Sequence, residues 1–558
     1  MTLLDRLARV APVSAGGDPD LDRALALLDR PEDAETVRTA ALALPVLAAG
    51  PALVLATVAS LMLGLAVLAC GSLAAAGILA LPALAADARR SRALGDGPDL
   101  VCRAVLAGAL EPTPEHTAAF AADAPGALAA RLAGHVRYAL GAPTTAWTRF
   151  RRAWRDHDPE LARAVALVEA ATNAPDAERA RLLDRALAVS LDAVAARVTD
   201  YASTLSTLVT GVYAAGVVLP LALVGLLPVA PVSGLSVPLV GLAVVYDLVL
   251  PLALAAAIAV VLARRPAAFP AVPIPRDHPA LAGRARPALV WAAAAAACAL
   301  AVFAVLAPWA LPFAPVAGLG AGLVRWTRPV LGVREDVAAL ERGLPDALVV
   351  VGQHVRRGRP PEGALAAAAA ELDGTVSTVF ADASRLQRTL TVDTRTAFLG
   401  RYGALRDLPS ARARSTVAVL GDAAAAGPPG GRVLVSLADH LDRLVRVERD
   451  TAADLAAVTN ALDTTGRWVA PCVAGVTVAL ARTLRPLGDG ALPYSPDALA
   501  LVVGGYVAAL AVLLPAFASV VRHGADRARA VHAAGSALAV AAVVYPVVAT
   551  LAALVTSV

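Results

Sequence analysis

The chain has 558 residues, 58% of them hydrophobic and only 4% aromatic, and its mean hydropathy is +0.65. Soluble domains are about 45–50% apolar, so the excess of Ala, Val and Leu excludes one large soluble core and points to membrane helices. Formal net charge is +4, all 49 basic residues are Arg, and the lack of Lys excludes a Schiff-base lysine and a complete phosphate-binding loop.

Residues 1–40 read as a charged, amphipathic cytoplasmic segment and not as a secretory signal. The run 41–87 follows, free of acids and bases up to Ala86 and long enough for two spans, 41–60 and 66–86. A polar stretch, 88–202, then leads into spans at 203–227 and 239–263. After a loop at 264–287 come spans at 288–307 and 311–326, separated by "PWALPFAP". A second polar stretch, 327–466, precedes three C-terminal spans within 467–558, at 468–484, 498–521 and 533–556.

Arginine placement orients these nine segments. The loops 228–238 and 308–315 carry no charge, and 485–497 carries Arg485 against Asp489 and Asp497. Arg264, Arg265, Arg276, Arg284, Arg286, Arg522, Arg527 and Arg529 fall on the other side, with both polar stretches. The expectation is an all-α polytopic membrane protein with about nine transmembrane helices. Its N-terminus and two helical domains are cytoplasmic and its C-terminus is outside.

The two domains share a pattern. In "GPDLVCRAVLAGALEPTPEHTAAF", Pro98-Asp99 and Pro114-Glu115 stand 16 residues apart. In "GLPDALVVVGQHVRRGRPPEGALAAAAAEL", Pro345-Asp346 and Pro361-Glu362 repeat that spacing 247 residues later. Proline suits a first helical turn and acids suit the N-terminal end of the dipole, so each pair is expected to open a helix. Leu344, Leu348, Val351 and Val355 line one face, His354, Arg356 and Arg357 point elsewhere, and Gly358 fits the left-handed position that ends a helix. Each domain closes on a long amphipathic helix that runs without a breaker into a span, with Pro220 and Pro471 251 residues apart. The reading is a duplicated module of helical-bundle domain plus membrane exit.

This pattern resembles the type II secretion F domain, the inner-membrane platform protein of type II secretion and type IV pilus machines. Pro345, Gly358, Pro361, Glu362, Ala364 and Leu365 carry the likeness in the second copy, and Pro98, Pro114 and Glu115 in the first. "LDTTGRWVAPCVAGVTVAL", 462–480, is similar to the span after the second domain in archaeal members, and nine spans resemble the archaeal pilus and archaellum type. The first copy departs at Glu111, which stands where Gly358 stands.

The resemblance implies a non-enzymatic scaffold that docks a hexameric secretion ATPase and couples it to pilin-like subunits. It implies no cofactor, metal or nucleic acid, and leaves monomer and homodimer open. Arg356, Arg357, Gly358, Arg359, Pro361 and Glu362 form the expected ATPase dock. The alternative is a polytopic transporter built around the intramembrane Asp247, since a lone carboxylate in a span often marks an ion or substrate path.

Other motifs have plainer readings. Cys70, Cys102, Cys298 and Cys472 lack disulfide or zinc spacing and are packing residues. His354 and His440 are solvated or capping residues on amphipathic helices. "GDAAAAGPPGGR", 421–432, is a linker between helices, and "GLGAG", 318–322, is a close helix-packing site. "RFRRAWRDHD", 149–158, fits a solvated helix face, a lipid-facing edge or part of the dock.

Overall fold

The computed structural model describes residues 18, 21–22, 25, 33–58, 64, 67–68, 71–72, 74–80, 82, 97–124, 126–139, 144–155, 158–227, 238–263, 274–275, 277–425, 427–484, 495–524 and 526–556. Every regular element among them is helical. Helix α1 (Ala34–Val58) precedes a set of six: α2 (Gly97–Leu110), α3 (Pro114–Ala122), α4 (Ala127–Ala139), α5 (Ala146–Trp154), α6 (Pro159–Thr172) and α7 (Asp176–Tyr213). A π turn, Ala214–Val218, carries α7 into α8 (Leu219–Leu226). Next come α9 (Leu239–Ala243), a π turn at Val244–Val249 and α10 (Leu250–Ala263), then α11 (Ala285–Leu306).

A 3₁₀ turn, Pro308–Phe313, leads into α12 (Ala314–Arg356), which begins a second set: α13 (Pro361–Glu371), α14 (Gly374–Leu390), α15 (Thr394–Leu399), α16 (Ala411–Ala425) and α17 (Pro428–Thr464). A third π turn, Thr465–Val469, joins α17 to α18 (Ala470–Leu484), and α19 (Pro496–His523) and α20 (Arg527–Thr556) follow. Local chemistry marks many starts. Thr113, Thr145, Asp158, Asp393 and Ser495 each accept a backbone N–H of the first turn, and Pro114, Pro159, Pro361, Pro428 and Pro496 stand where a missing N–H costs nothing.

Six described segments are long and apolar enough to cross a bilayer: Ala34–Val54, Val209–Leu226, Leu239–Val261, Pro279–Leu306, Pro496–His523 and Arg527–Val555. The molecule is an all-α protein with the helices of a multi-pass membrane protein. Three expected spans are not among the six. Nine of the 21 residues of 66–86 lie outside the described residues. Segment 311–326 opens the 43-residue α12, whose charges begin at Arg325, and 468–484 becomes the 15-residue α18 behind a π turn. Ala314, Ala317, Ala470, Ala474 and Val478 are nevertheless buried in the same apolar cluster as the spans.

Two Arg–Trp stacks bracket α11. Arg284 lies 4.3 Å over Trp326 at one end and Arg482 lies 4.6 Å over Trp309 at the other. The 22 residues between span about 33 Å at 1.5 Å per residue, close to a hydrocarbon core of about 30 Å. Leu289, Trp291 and Val305 on this helix are exposed, a lipid-facing surface. Helix α19 is central by contrast: 61% of its apolar window is buried, against 11% for the segment carrying α11.

A second core joins the two six-helix sets. Leu100, Leu128, Trp147, Phe150 and Leu187 of the first set share one continuous cluster with Leu348, Phe380, Phe398, Leu420 and Leu434 of the second. Helix α17 packs against both α7 and α2, so the sets stand side by side at one end of the membrane bundle. Both leave it by a π turn and a proline, and Tyr213 and Thr465 at the two exits share a hydrogen bond of 2.8 Å.

One expectation is corrected here. Pro98 lies in the first turn of α2, but Pro345-Asp346 does not open a helix. Pro329 and Pro345 both lie inside α12, which runs unbroken from the bundle into the second domain over about 65 Å. The buried Leu340, Leu344, Ala347 and Leu348 hold the helix on either side of Pro345, so packing outweighs the missing hydrogen bond.

The "GLGAG" stretch is a close-packing site, as expected. A Cβ on Gly318 would stand 2.5 Å from the Ala292 carbonyl of α11, and one on Gly320 would stand 2.6 Å from the Ala539 nitrogen and Gly535 carbonyl of α20. Helix α12 thus touches a neighbour's backbone on two sides. Gly320→Val is expected to destabilise the protein by about 3 kcal/mol or more, since backbone cannot yield as a side chain can. Gly332→Ala on the same helix has open space around its Cβ and is expected to be neutral or stabilising. Thermal unfolding of the two variants in detergent, read by tryptophan emission, checks the contrast.

Candidate functional site

The turn between α12 and α13 is built as expected. Gly358 has φ +79° and donates to the Val355 carbonyl at 2.9 Å, while the Arg359 N–H reaches the His354 carbonyl at 3.1 Å. A left-handed residue thus closes the last turn of α12 and frees the chain to reverse. Leu344, Leu348, Val351, Val355, Ala364 and Leu365 form the fully buried underside. Arg356, Arg357, Arg359 and Glu362 are exposed at the tip and Pro361 is half-buried as the first residue of α13. The Arg356 stem lies against Gly431 at the start of α17, where a Cβ would come 2.7 Å from its Cγ. Glu362 accepts from the buried Gln387 amide of α14 at 3.5 Å, which ties the tip to the helix behind it. Three guanidinium groups at the carboxyl end of a 43-residue helix give a positive, rigidly backed projection.

His354 is buried, not solvated. Its Nε2 lies 3.3 Å from Glu371 Oε1 at the end of α13, across the hairpin. The apolar face of α12 is wider than the four-residue stripe, because α17 covers the adjacent side and Gly352 lets it approach to the Gly431 carbonyl.

The first copy turns by different means. Thr113 donates its N–H to the Glu111 carbonyl at 2.9 Å and caps α3 through its hydroxyl, which accepts from the His116 N–H at 3.3 Å. No glycine is needed because the reversal is made by an extended Thr at φ −109°. In the 149–158 cluster the aromatics face inward. Trp147, Phe150 and Trp154 are core residues, the Trp147 indole donates to Thr117 at 3.0 Å, and Arg151 pairs with Glu169 at 3.7 Å. The stretch 421–432 comprises the end of α16, Gly427 at φ +72° and the start of α17, a helix junction.

Cys102 is buried in α2 at the seam between the two helical sets, beside a cavity of about 40 Å³ lined also by Arg103, Ser415 and Thr416. Burial, then the nearby Asp99 charge, pushes its thiol up to about 12. Such a thiol is inert at neutral pH and serves packing, as expected. Cys298 is exposed on α11 and Cys472 is half-buried on α18. Cys70 lies outside the described residues.

Asp247 lies in the π turn between α9 and α10, and its carboxylate rests on Gly505 of α19: a Cβ there would be 2.5 Å from Oδ1. No grouping of His, Cys, Asp or Glu suited to a metal ion occurs among the described residues.

No protein-family model, curated protein or solved structure matches this chain.

A cluster that sequence reading missed lies where the second domain meets the membrane bundle. Asp526, buried between α19 and α20, pairs with Arg334 of α12 and lies 3.5 Å from Arg529 of α20, whose N–H it also accepts at 2.9 Å. Arg522 of α19 donates to Thr459 and Asn460 of α17 at 2.5 and 2.8 Å. Arg467 donates to Ser536 of α20 at 3.1 Å, and Thr327 of α12 shares a 2.9 Å hydrogen bond with His532. The helix that enters the second domain and the helix that leaves it are thus both fastened to the α19–α20 turn. In the sequence the one signal was an acid among the arginines 522, 527 and 529, and only the fold brings Arg334, 192 residues away, beside it. Asp526→Ala strands two guanidinium groups in a half-dry site and removes the cap of α20. The expected loss is about 3–5 kcal/mol. Asp526→Asn keeps the cap and should lose less. Refolding titrations in mixed micelles measure both.

Proposed function

We propose that this chain is a platform protein of a type IV pilus-like or type II secretion-like machine. In this reading it docks a hexameric secretion ATPase on its cytoplasmic domains and couples that motor to assembly of pilin-like subunits in the membrane. The single observation that carries the reading is the α12–α13 hairpin. It is a positive tip, Arg356, Arg357, Gly358 and Arg359, on a helix that continues without a break into the membrane bundle. A push on that tip travels along about 51–57 Å of helix to the Gly318–Gly322 contacts with α11 and α20. The Asp526 cluster fastens the same helix to the α19–α20 turn.

The module underneath is a duplication. Supporting it, α2 to α7 and α12 to α17 follow in the same order, with Pro114 and Pro361 247 residues apart. The π turns start at Ala214 and Thr465, 251 apart, and each is followed by a proline, Pro220 or Pro471, at that same offset. The nine-span topology belongs to this reading too, with 66–86, 311–326 and 468–484 added to the six long apolar segments. N-terminus and domains are cytoplasmic and the C-terminus is outside, because the Arg-rich loops then lie inside.

Two experiments test these statements separately. An alkaline phosphatase fused within 485–497 should be active, and fusions in 264–287 or 522–531 inactive; reversed activities would overturn the orientation. The combined Arg356→Ala, Arg357→Ala and Arg359→Ala variant should bind the ATPase encoded with it about fivefold to thirtyfold more weakly at low salt, three exposed ion pairs together. The deficit should shrink as salt screens the wild type. Binding indifferent to both mutation and salt would exclude the tip as the dock.

A further inference from the structure

Asp247 is the one acid of the span Leu239–Val261. It lies eight residues inside Leu239, and its neighbour Gly505 lies nine residues inside Pro496, so the carboxylate is about 12–14 Å from the N-terminal ends of both helices and farther from their other ends, well inside the membrane. A carboxylate at that depth is costly unless something donates to it.

The surrounding donors are already committed. The Tyr246 hydroxyl donates to the Pro220 carbonyl at 3.1 Å, and the Tyr506 hydroxyl donates to the Gly216 carbonyl at 2.9 Å. Each phenol has one proton to give. Among the described residues no basic group pairs with Asp247, which is exposed on the bundle surface. Leu248 and Leu252 on the same helix and Leu501 and Val512 on α19 are exposed as well, and the Asp247 carboxylate itself fills the space that a side chain on Gly505 would take.

The geometry points to a docking face for a single apolar transmembrane helix of another polypeptide, one that carries a protonated amine or guanidinium inside the membrane to meet Asp247. Other occupants fit worse. A bare divalent cation needs several oxygen ligands and finds one carboxylate. A lipid headgroup amine lies at the interface, a dozen ångströms away. A helix brings the donor to the required depth and shields the exposed leucines. This deepens the platform reading by giving a membrane subunit a place to dock. Its test involves no ATPase, so either reading can fail without the other.

The probe is a synthetic 24-residue Leu/Ala transmembrane peptide with one central Lys, labelled with an energy-transfer acceptor. It is co-reconstituted with the donor-labelled full-length protein in phosphatidylcholine vesicles. Control peptides carry Leu at the centre, or Lys one turn from the end. The central-Lys peptide should associate about threefold to thirtyfold better than either control, the range of one intramembrane hydrogen-bonded contact. Asp247→Asn and Gly505→Leu should each abolish the preference, the first by removing the charge and the second by displacing the carboxylate that rests on the glycine. Asp247→Lys should transfer the preference to a central-Glu peptide, a gain that a misfolded variant cannot produce. Equal association of all peptides with wild type, or a preference that survives Asp247→Asn, would overturn the proposal. So would Asp247-dependent energy transfer between differently labelled copies of the protein itself, which would give this face to a second copy.

Discussion

A backbone in hydrocarbon cannot leave a carbonyl unpaired without cost, and this chain puts prolines in its membrane helices. Pro220, Pro251 and Pro471 each follow a π turn, at Ala214–Val218, Val244–Val249 and Thr465–Val469. A proline removes one N–H and crowds the carbonyl four residues back. Widening the preceding turn gives that crowding room and lets the helix continue. The freed groups are then met from outside: Tyr506 donates to Gly216, the carbonyl that Pro220 leaves without its usual donor. Tyr246 and Tyr506 pack edge to face at 5.3 Å, so one aromatic pair serves two helices at once. The tyrosines are therefore placed by the prolines, and Asp247, next to Tyr246, inherits an environment with no donor to spare.

The same constraint shapes the passage between domain and membrane. Helices α7 and α17 do not stop at the bundle. They pass through their π turns as α8 and α18, and α12 makes the opposite crossing without any break. No loop separates the core of the two helical sets from the core of the apolar bundle at these three points, so displacement of a set is displacement of a bundle helix. The side chains at the crossings reinforce this, with Tyr213 against Thr465, Thr327 against His532 and Arg334 on Asp526. A coupling element needs a rigid path, and continuous helix with buried ion pairs supplies one.

Much of this was legible in sequence because it rests on local periodicity and composition. The apolar runs announced membrane helices, the stripe from Leu344 to Val355 announced a buried face, and Gly358 announced its own left-handed turn. Reading failed where a neighbour decided the outcome. Pro345 looked like a helix start and lies mid-helix, because packing on both sides sustains α12 through it. His354 looked solvated and is buried, because α17 and Glu371 close over it. The aromatics among the arginines of 149–154 looked like a surface and form the heart of the first domain.

By itself the sequence determined the helical class, the apolar lengths, and the caps and turns. All of these depend on residues within a few turns of one another. Only the tertiary structure decided that the two sets share one core, that Gly318, Gly320 and Gly322 face two different helices, and that Asp526 meets Arg334. It also decided that Asp247 rests on Gly505 while the neighbouring hydroxyls are spent elsewhere. Contacts between residues hundreds of positions apart leave no periodic trace in a chain. They follow from which helix faces are buried together, and that is settled by the packing of the whole bundle.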